Sequence, residues 1–385
     1  MCAVTRVDTK MPERDGVVES ETLLTIVVPV YAVEGYLQQC LESLRAGLTE
    51  AESAAVEIIA VDDASPDGCG ELLDGYAARH GGVRVVHLPH NVGLGLARNA
   101  GLAEARGAYV WFVDSDDWLP TGAVSAVLQR LAGRPDVLLI DHLRVHEDGR
   151  TEPDASSHLL RDVHAPTCLA ERPQLLRLQH TAWNKVVSRA LLTRLDLRFL
   201  PGWYEDIPFS HPVLIGAERI EVLDRVCYHY RQGRSGAITS TRSERHFEAF
   251  DQYERLQEWV RARNPEPWLA ADLFNLMISH YLVVAGNDGR LHPSRRREFF
   301  RRAAAHYRRF RPVDCPLPPG PAGVKHRLVK MNSYLLYAAL RHAYRIAGRG
   351  GAQAGSVPEL DPQSSPAVRQ EIAFGPRSAQ GSPIR

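Results

Sequence analysis

Three carboxylates, Asp114, Asp116 and Asp117, close an apolar run that reads AYVWFV and shows no polar alternation. A run of that kind suits a strand buried on both faces. Acids gathered at its end repel one another unless a cation or a phosphate-bound metal sits among them. On an extended chain, residues two apart point the same way, so Asp114 and Asp116 can address one object. Carboxylate oxygens are hard ligands and suit magnesium or manganese. The plain alternative is a solvated acidic turn capping the next helix. Two further acid pairs stand elsewhere. Asp62 and Asp63 close the run VEIIAVDD, and Glu205 and Asp206 lie in PGWYEDIP, where Gly and Pro mark a rigid loop.

The elements that must position these groups follow a regular cadence. Strands are expected at Leu24 to Tyr31, Val56 to Asp63, Val83 to Leu88 and Ala108 to Asp114. Between them, apolar spacing predicts helices from Gly35 to Leu48, from a cap at Ser65 or Asp67 to His80, and from Gly93 to Arg106. Alternating strands and helices at this spacing make a doubly wound α/β sheet. Such sheets bind ligands beyond the carboxyl ends of their strands. Two of the four strands end on acids, a coincidence that favours a site over independent solvated turns. The GLG at Gly93 to Gly95 starts like a dinucleotide fingerprint, but its sixth position is Arg98 and it follows the third strand, so a nicotinamide or flavin site is not indicated. A glycine-rich helix start with Arg98 and Asn99 on its first turns can instead face a diphosphate.

Further on, a helix (Gly122 to Leu131) and a strand (Asp136 to Val145) precede a polar stretch, His146 to Pro166, expected to loop over the site. A strand is expected over Val222 to Arg234. Four helices follow: His246 to Arg263, Trp268 to Ala285, Pro293 to Phe310 and Val324 to Ala347, interrupted by a Pro- and Gly-rich break from Asp314 to Gly323. The expected organisation is a polar, disordered stretch over 1–22, a catalytic domain over 23–240, a basic helical section over 241–348 and a disordered tail over 349–385.

With 44% hydrophobic and 24% charged residues and a net charge of zero, composition is that of a globular protein. The charge is unevenly distributed. Arg290 to Arg349 holds 15 Lys or Arg and two acids, Glu298 and Asp314, a net +13; the rest, with 31 basic and 44 acidic residues, carries −13. That asymmetry points toward an anionic surface or polymer. Six scattered cysteines without CxxC or Cys/His spacing fit reduced thiols in a cytosol and argue against structural zinc. No signal core and no window of roughly 18 apolar residues is evident, so no membrane span is expected.

Six segments, TIVVPVY, EIIAVDDASPDG, NVGLGLARNAGLAEARGAYVWFVDSDDWL, WNKVV, WYEDIPF and HYRQGRSGAIT, stand in the order found in inverting family 2 glycosyltransferases, and over Thr25 to Thr239 the chain resembles that family. WNK, YEDI and HYR-x-x-x-GAIT further resemble actinobacterial wall-polymer and teichoic-acid transferases. The resemblance implies the GT-A fold of nucleotide-diphospho-sugar transferases, a doubly wound, mostly parallel sheet, with an α-helical section after it. It also implies transfer of a sugar from a nucleotide-diphosphate donor, typically UDP-linked, to a hydroxyl acceptor of lipid-linked or polymeric kind. Asp206 takes the family's catalytic-base position, with Glu205 orienting it or as the alternative base. Pro29, Tyr31, Asp62, Asp63 and Asp114 are implied donor ligands, with Asp114 and Asp116 on manganese or magnesium and Asp117 structural. Arg98, Asn99, Arg231 and Arg234 are candidates for the diphosphate, weighed against surface charge or structural ion pairs. Trp183, Asn184, Lys185 and Trp203 are candidates for the acceptor or sugar pocket, although both tryptophans suit a core equally well. His229 matches a third metal ligand of some relatives and equally a satisfied core histidine.

In the basic helices, Phe299, Ala303, Tyr307 and Phe310 form one apolar stripe and Leu328, Met331, Leu335, Ala339, Leu340 and Ile346 another. These suit either a helix pair on anionic lipid or packing onto the catalytic domain. Nucleic acid is disfavoured because no reader motif appears. The implied setting is cytoplasmic or peripheral on the inner membrane face, in wall or surface-polymer synthesis. The rivals are a sugar nucleotidyltransferase, which would want a Gly-rich basic loop where PVYAVEGY stands, and a silent glycosyltransferase-like scaffold.

Overall fold

The computed structural model describes residues 22–234 and 241–349, with side chains placed up to Tyr344. The polar start, the tail and the GAIT segment of the last motif lie outside those residues. Eight strands form one sheet: β1 (Leu24–Val30), β2 (Val56–Asp62), β3 (Val83–His87), β4 (Tyr109–Phe112), β5 (Val137–Val145), β6 (Thr151–Pro153), β7 (Lys185–Ser188) and β8 (Ile220–Arg231). Their order is β3-β2-β1-β4-β7-β5-β6, with β8 also on β5. β1, β2, β3 and β4 pair in parallel, as do β5 and β8, whereas β7 runs antiparallel to β4 and β5. The helices are α1 (Glu34–Ser43), α2 (Glu50–Ala54), α3 (Cys69–Arg79), α4 (Leu94–Glu104), α5 (Ala123–Leu131), α6 (His158–Arg161), α7 (Arg189–Arg194), α8 (Ile207–Gly216), α9 (Glu248–Arg261), α10 (Pro267–Gly286), α11 (Arg296–Phe310), α12 (Gly320–Lys330) and α13 (Tyr334–Arg349).

The central strands carry apolar runs because both of their faces are covered. All of β1 and β2 is buried, and Trp111 and Phe112 of β4 are fully so. Helix α4 lies directly on this sheet, since a Cβ at Gly101 would overlap Val27 Cγ1. That close approach draws the buried face of α4, which includes Arg98, down to the carboxyl ends of β1 and β4. The doubly wound, mostly parallel sheet is thus as expected, with β7 as its antiparallel insertion.

Four expectations need correction. The stretch from His146 to Pro166 is not a loop over the site: β6 pairs antiparallel with β5 at the sheet edge and α6 follows. No boundary falls near residue 241, because the compact unit runs through Cys315 and a second begins at Pro316. In the first unit the stripe Phe299, Ala303, Tyr307 and Phe310 is buried, with Phe274 edge-on to Tyr307 at 4.9 Å and Phe250 against Phe299 at 4.6 Å. Helix α10 is long and apolar enough, at mean hydropathy 1.4, to cross a membrane by length and composition, contrary to the sequence reading. Its Phe274, Met277, Ile278 and Tyr281 are buried, as in a core helix. In the second unit the single helix expected over Val324 to Ala347 is two. Asn332 takes a left-handed φ of 51°, which asparagine tolerates, and α13 starts two residues later at Tyr334.

Candidate active site

At the carboxyl end of the sheet, three acids from two distant parts of the chain meet on one guanidinium. Arg98 Nη2 donates to Asp114 Oδ1 at 2.7 Å, and Nη1 donates to Glu205 Oε1 at 2.8 Å and to Asp206 Oδ1 at 2.7 Å. The arginine is 1% exposed. Its planar fork is what allows one side chain to serve carboxylates in several directions. Gly95, one turn earlier, is required by the same approach, because a Cβ there would sit 2.9 Å from Glu205 Cγ and 2.7 Å from the Leu200 carbonyl oxygen. The loop that delivers Glu205 and Asp206 is strained: Tyr204 has φ 66°, a conformation rarely adopted by a bulky residue. A hydrogen bond of 2.5 Å between the Tyr204 hydroxyl and His246 Nδ1 ties it to the helical section, and Gln252 Nε2 donates to the Pro201 carbonyl at 2.9 Å. Asp206 opens α8, yet its second oxygen accepts from Ala182 N at 3.3 Å rather than capping that helix.

Three carboxylates around one guanidinium leave an excess of negative charge in a poorly hydrated place, so protons are retained. Burial, then the neighbouring Asp206 charge, pushes Glu205 above the usual carboxylate range; burial likewise raises Asp206, and Arg98 opposes that rise. Glu205 is the more enclosed, with a side chain 4% exposed against 18% for Asp206. Of the pair, Glu205 is thus the one that burial favours more strongly as the holder of a proton, and Asp206 is the more accessible.

The other carboxylates are held differently. Asp117 is buried; it accepts from the Tyr228 hydroxyl at 2.7 Å and from Arg231 N at 2.8 Å, a structural role. The same hydroxyl accepts from Asp114 N at 3.1 Å, so Tyr228 sets the acidic turn. Burial and the Asp114 charge raise Asp116, which pairs with Arg234 Nε at 2.7 Å. Arg231 lies between the Trp118 and Tyr36 rings, 4.5 and 4.7 Å from their centroids, and donates to the Asp116 carbonyl at 2.8 Å and to Gln39 Oε1 at 2.7 Å. Arg231 and Arg234 thus form a cationic wall beside Asp116.

Several residues expected at the site have other partners. Arg98 is enclosed by acids and has no face for a diphosphate. Asn99 exchanges two hydrogen bonds with the backbone of Phe199, at 2.8 and 2.9 Å. Asp63 accepts from Val92 N and Gly93 N at 2.7 and 2.8 Å, fixing the entry to α4, and Asp62 is engaged by Ser65 N and His87. Pro29 is buried within β1, whereas Tyr31, just beyond it, is 47% exposed. Trp183 is buried and stacked on Tyr228 at 4.4 Å, so it belongs to the core. Asn184 and Lys185 are buried too. Lys185 Nζ donates to the Thr181 carbonyl, to Asn184 Oδ1 and to Ser210 Oγ, and burial lowers its pKa to about 7. These bonds brace the turn whose Ala182 N–H holds Asp206. Trp203 remains partly exposed, with Arg245 4.8 Å over its ring. His229 pairs its backbone with Trp118 and packs on that ring. Tyr36, Gln39, Tyr204 and Tyr228 were not singled out as site residues from sequence. Of these, Tyr204 stands within WYEDIPF and Tyr228 directly precedes HYR, and neither was given a role.

Among the described residues, no three His, Cys, Asp or Glu side chains form a ready metal cage. Two carboxylates, Asp114 and Asp116, suit an ion that takes its remaining ligands from phosphate and water, as magnesium does. The raised pKa of Asp116 is the electrostatic counterpart of that fit.

The comparisons with known proteins bear on family and fold. The glycosyl transferase family 2 model matches residues 25–189. Glycosyltransferase GlyG of Streptococcus pneumoniae is 34% identical over 57% of this chain and 73% of its own length. The uncharacterized glycosyltransferase EpsJ of Bacillus subtilis is 34% identical over 54% of this chain, which spans 61% of that protein. The poly(ribitol-phosphate) beta-N-acetylglucosaminyltransferase TarS of Staphylococcus aureus is 29% identical over 56% of this chain and 37% of its own length. A crystal structure of TarS residues 1–349 with UDP-GlcNAc superposes with TM-score 0.66 at 20% identity, covering 85% of this chain and 92% of that one, and shows a shared fold. With the buried acid cluster at the sheet's carboxyl end and these matches in hand, the chain belongs to glycosyl transferase family 2.

Proposed function

We propose that this protein moves a sugar from a nucleotide-diphosphate donor to a hydroxyl acceptor in one displacement with inversion at the anomeric carbon. The observation that carries this reading is the contact of Arg98 with both Asp114 and Asp206 at 2.7 Å, which joins the donor-side acid to the proposed base. Asp206 takes the proton of the acceptor hydroxyl as its oxygen bonds to the anomeric carbon, and the bond from that carbon to the diphosphate oxygen breaks. Arg98 keeps Asp206 ionised and aimed, while Glu205 retains the proton that three crowded acids require. Arg231 and Arg234 line the position for the diphosphate, with Arg234 exchanging Asp116 for phosphate oxygen. Magnesium or manganese held by Asp114 and Asp116 would supply charge neutralisation to the leaving diphosphate. Tyr31 offers an exposed ring to the base, and Trp203 a partly exposed one to the acceptor.

The name of TarS supports a hexosyl- or N-acetylhexosaminyl-type sugar, and its bound UDP-GlcNAc a uridine donor. That name also supports a polymeric wall or surface-polysaccharide acceptor, and we take the place of action to be cytoplasmic. The test is a thermal-shift panel of nucleotide-diphosphate sugars with manganese. One donor is expected to raise the melting temperature at concentrations where the others do not. Stabilisation by none of them would overturn the reading.

A further inference from the structure

The two apolar stripes of the basic helical section have opposite fates. The stripe on α11 is buried in the first unit. On α12 and α13 the second stripe is covered only in part: Leu328 and Leu340 are half-buried, but Met331 is 65% exposed and Leu335 76%, with neighbouring Leu336 58% and Tyr344 52%. Leu335, Ala339 and Ala343 follow one another at helical spacing, with Leu336 on the adjoining strip, so they form one face of α13. Monomeric proteins rarely leave neighbouring leucines this open without a partner.

Charge identifies the partner. From Pro316 to Arg349 there is no acid, while Lys325, Arg327, Lys330, Arg341, Arg345 and Arg349 are basic. Arg327 and Lys330 are exposed on α12, close in sequence to Met331. Leucines with a basic surround and no carboxylate describe a helix that lies in the plane of an anionic bilayer. Its apolar face enters the acyl boundary and its cations meet the headgroups. A second copy of this chain is less suited to the face, because two units of like charge would be brought together.

We propose that the exposed face of α13, with Met331, docks this protein on anionic lipid bilayers. The face deepens the proposed function by naming where the enzyme works, and its test does not depend on turnover. The full chain is sedimented with vesicles of phosphatidylcholine and phosphatidylglycerol in roughly equal parts, and with vesicles of phosphatidylcholine alone. Wild type should pellet with the first and not the second. The double variant Leu335→Glu/Leu336→Glu should bind the mixed vesicles at least about tenfold more weakly, since each leucine contributes that much in transfer. Its melting temperature should be unchanged, because both positions are exposed. Wild type left in the supernatant, or a double variant that binds as tightly, overturns the proposal. A concentration-dependent dimer in sedimentation velocity that the double variant abolishes would also overturn it and assign the face to a second copy.

Discussion

Replacing Arg98 by methionine keeps the volume of the side chain and removes a positive charge that three carboxylates share. Asp114, Glu205 and Asp206 stay in place, and two of their contacts with Arg98 are 2.7 Å long. The side chain is 1% exposed, so water cannot substitute for it. Removing one partner of a buried ion pair costs about 3–5 kcal/mol, because the remaining charge is left uncompensated. For a folded unit of this size that loss lowers the melting temperature on the order of 10 °C. The deficit must also depend on pH. Without Arg98 the folded Glu205 and Asp206 carboxyls are pushed further above their unfolded values, so the folded variant binds more protons than the wild type. Its stability relative to wild type therefore recovers as pH falls and worsens as pH rises. Thermal unfolding followed by circular dichroism at mildly acidic and mildly alkaline pH measures both effects. A variant that melts within about 2 °C of wild type throughout would refute the reasoning, as would a deficit independent of pH.

Other predictions rest on single contacts. Gly95→Ala should destabilise the fold by about 1–3 kcal/mol in denaturant melts, because a new Cβ meets the Leu200 carbonyl and Glu205 where neither has room to retreat. Glu205→Gln should flatten the pH dependence of stability. The raised pKa means that the folded wild type keeps a proton which the unfolded chain releases, so its stability is full at low pH. That stability is lost as pH rises through the folded pKa; an amide has nothing to titrate, and parallel curves for the two proteins would contradict this. Tyr228→Phe removes the hydroxyl that joins Asp117 to the Asp114 backbone, and should weaken donor binding in a titration while costing about 1–3 kcal/mol of stability.

The sheet was legible because β1, β2 and β4 are largely apolar runs, a pattern set by burial on both faces, and acids close two of them. β7 was not. Four residues, Lys185–Ser188, become a strand only through partners on β4 and β5 supplied by the fold. Arg98 was read as a candidate for the diphosphate, and its guanidinium meets Asp114, Glu205 and Asp206. Its spacing from Gly95, Gly101 and Leu102 puts it on the apolar face of α4, which indicates an inward guanidinium; the glycines before it suggested a phosphate instead. Trp183 could be a pocket wall or a core ring, and composition has no means of separating the two until Tyr228 is seen stacked on it. The break between α12 and α13 was legible in principle, since Asn332 and Ser333 are residues that stop and restart helices. The acid pair Glu205 and Asp206 shows the opposite case: Gly202 and the neighbouring prolines announced a rigid loop, and the structure has one, down to the left-handed Tyr204.

The central claim is that Asp206 takes the acceptor's proton in a cleft whose donor side is intact without it. Turnover of the stabilising nucleotide sugar by wild type and Asp206→Asn, with donor affinity measured alongside by calorimetry, tests it most directly. The account predicts a loss of about 100- to 10,000-fold in kcat with donor affinity unchanged within a few-fold. An asparagine variant that transfers sugar at the wild-type rate would contradict it.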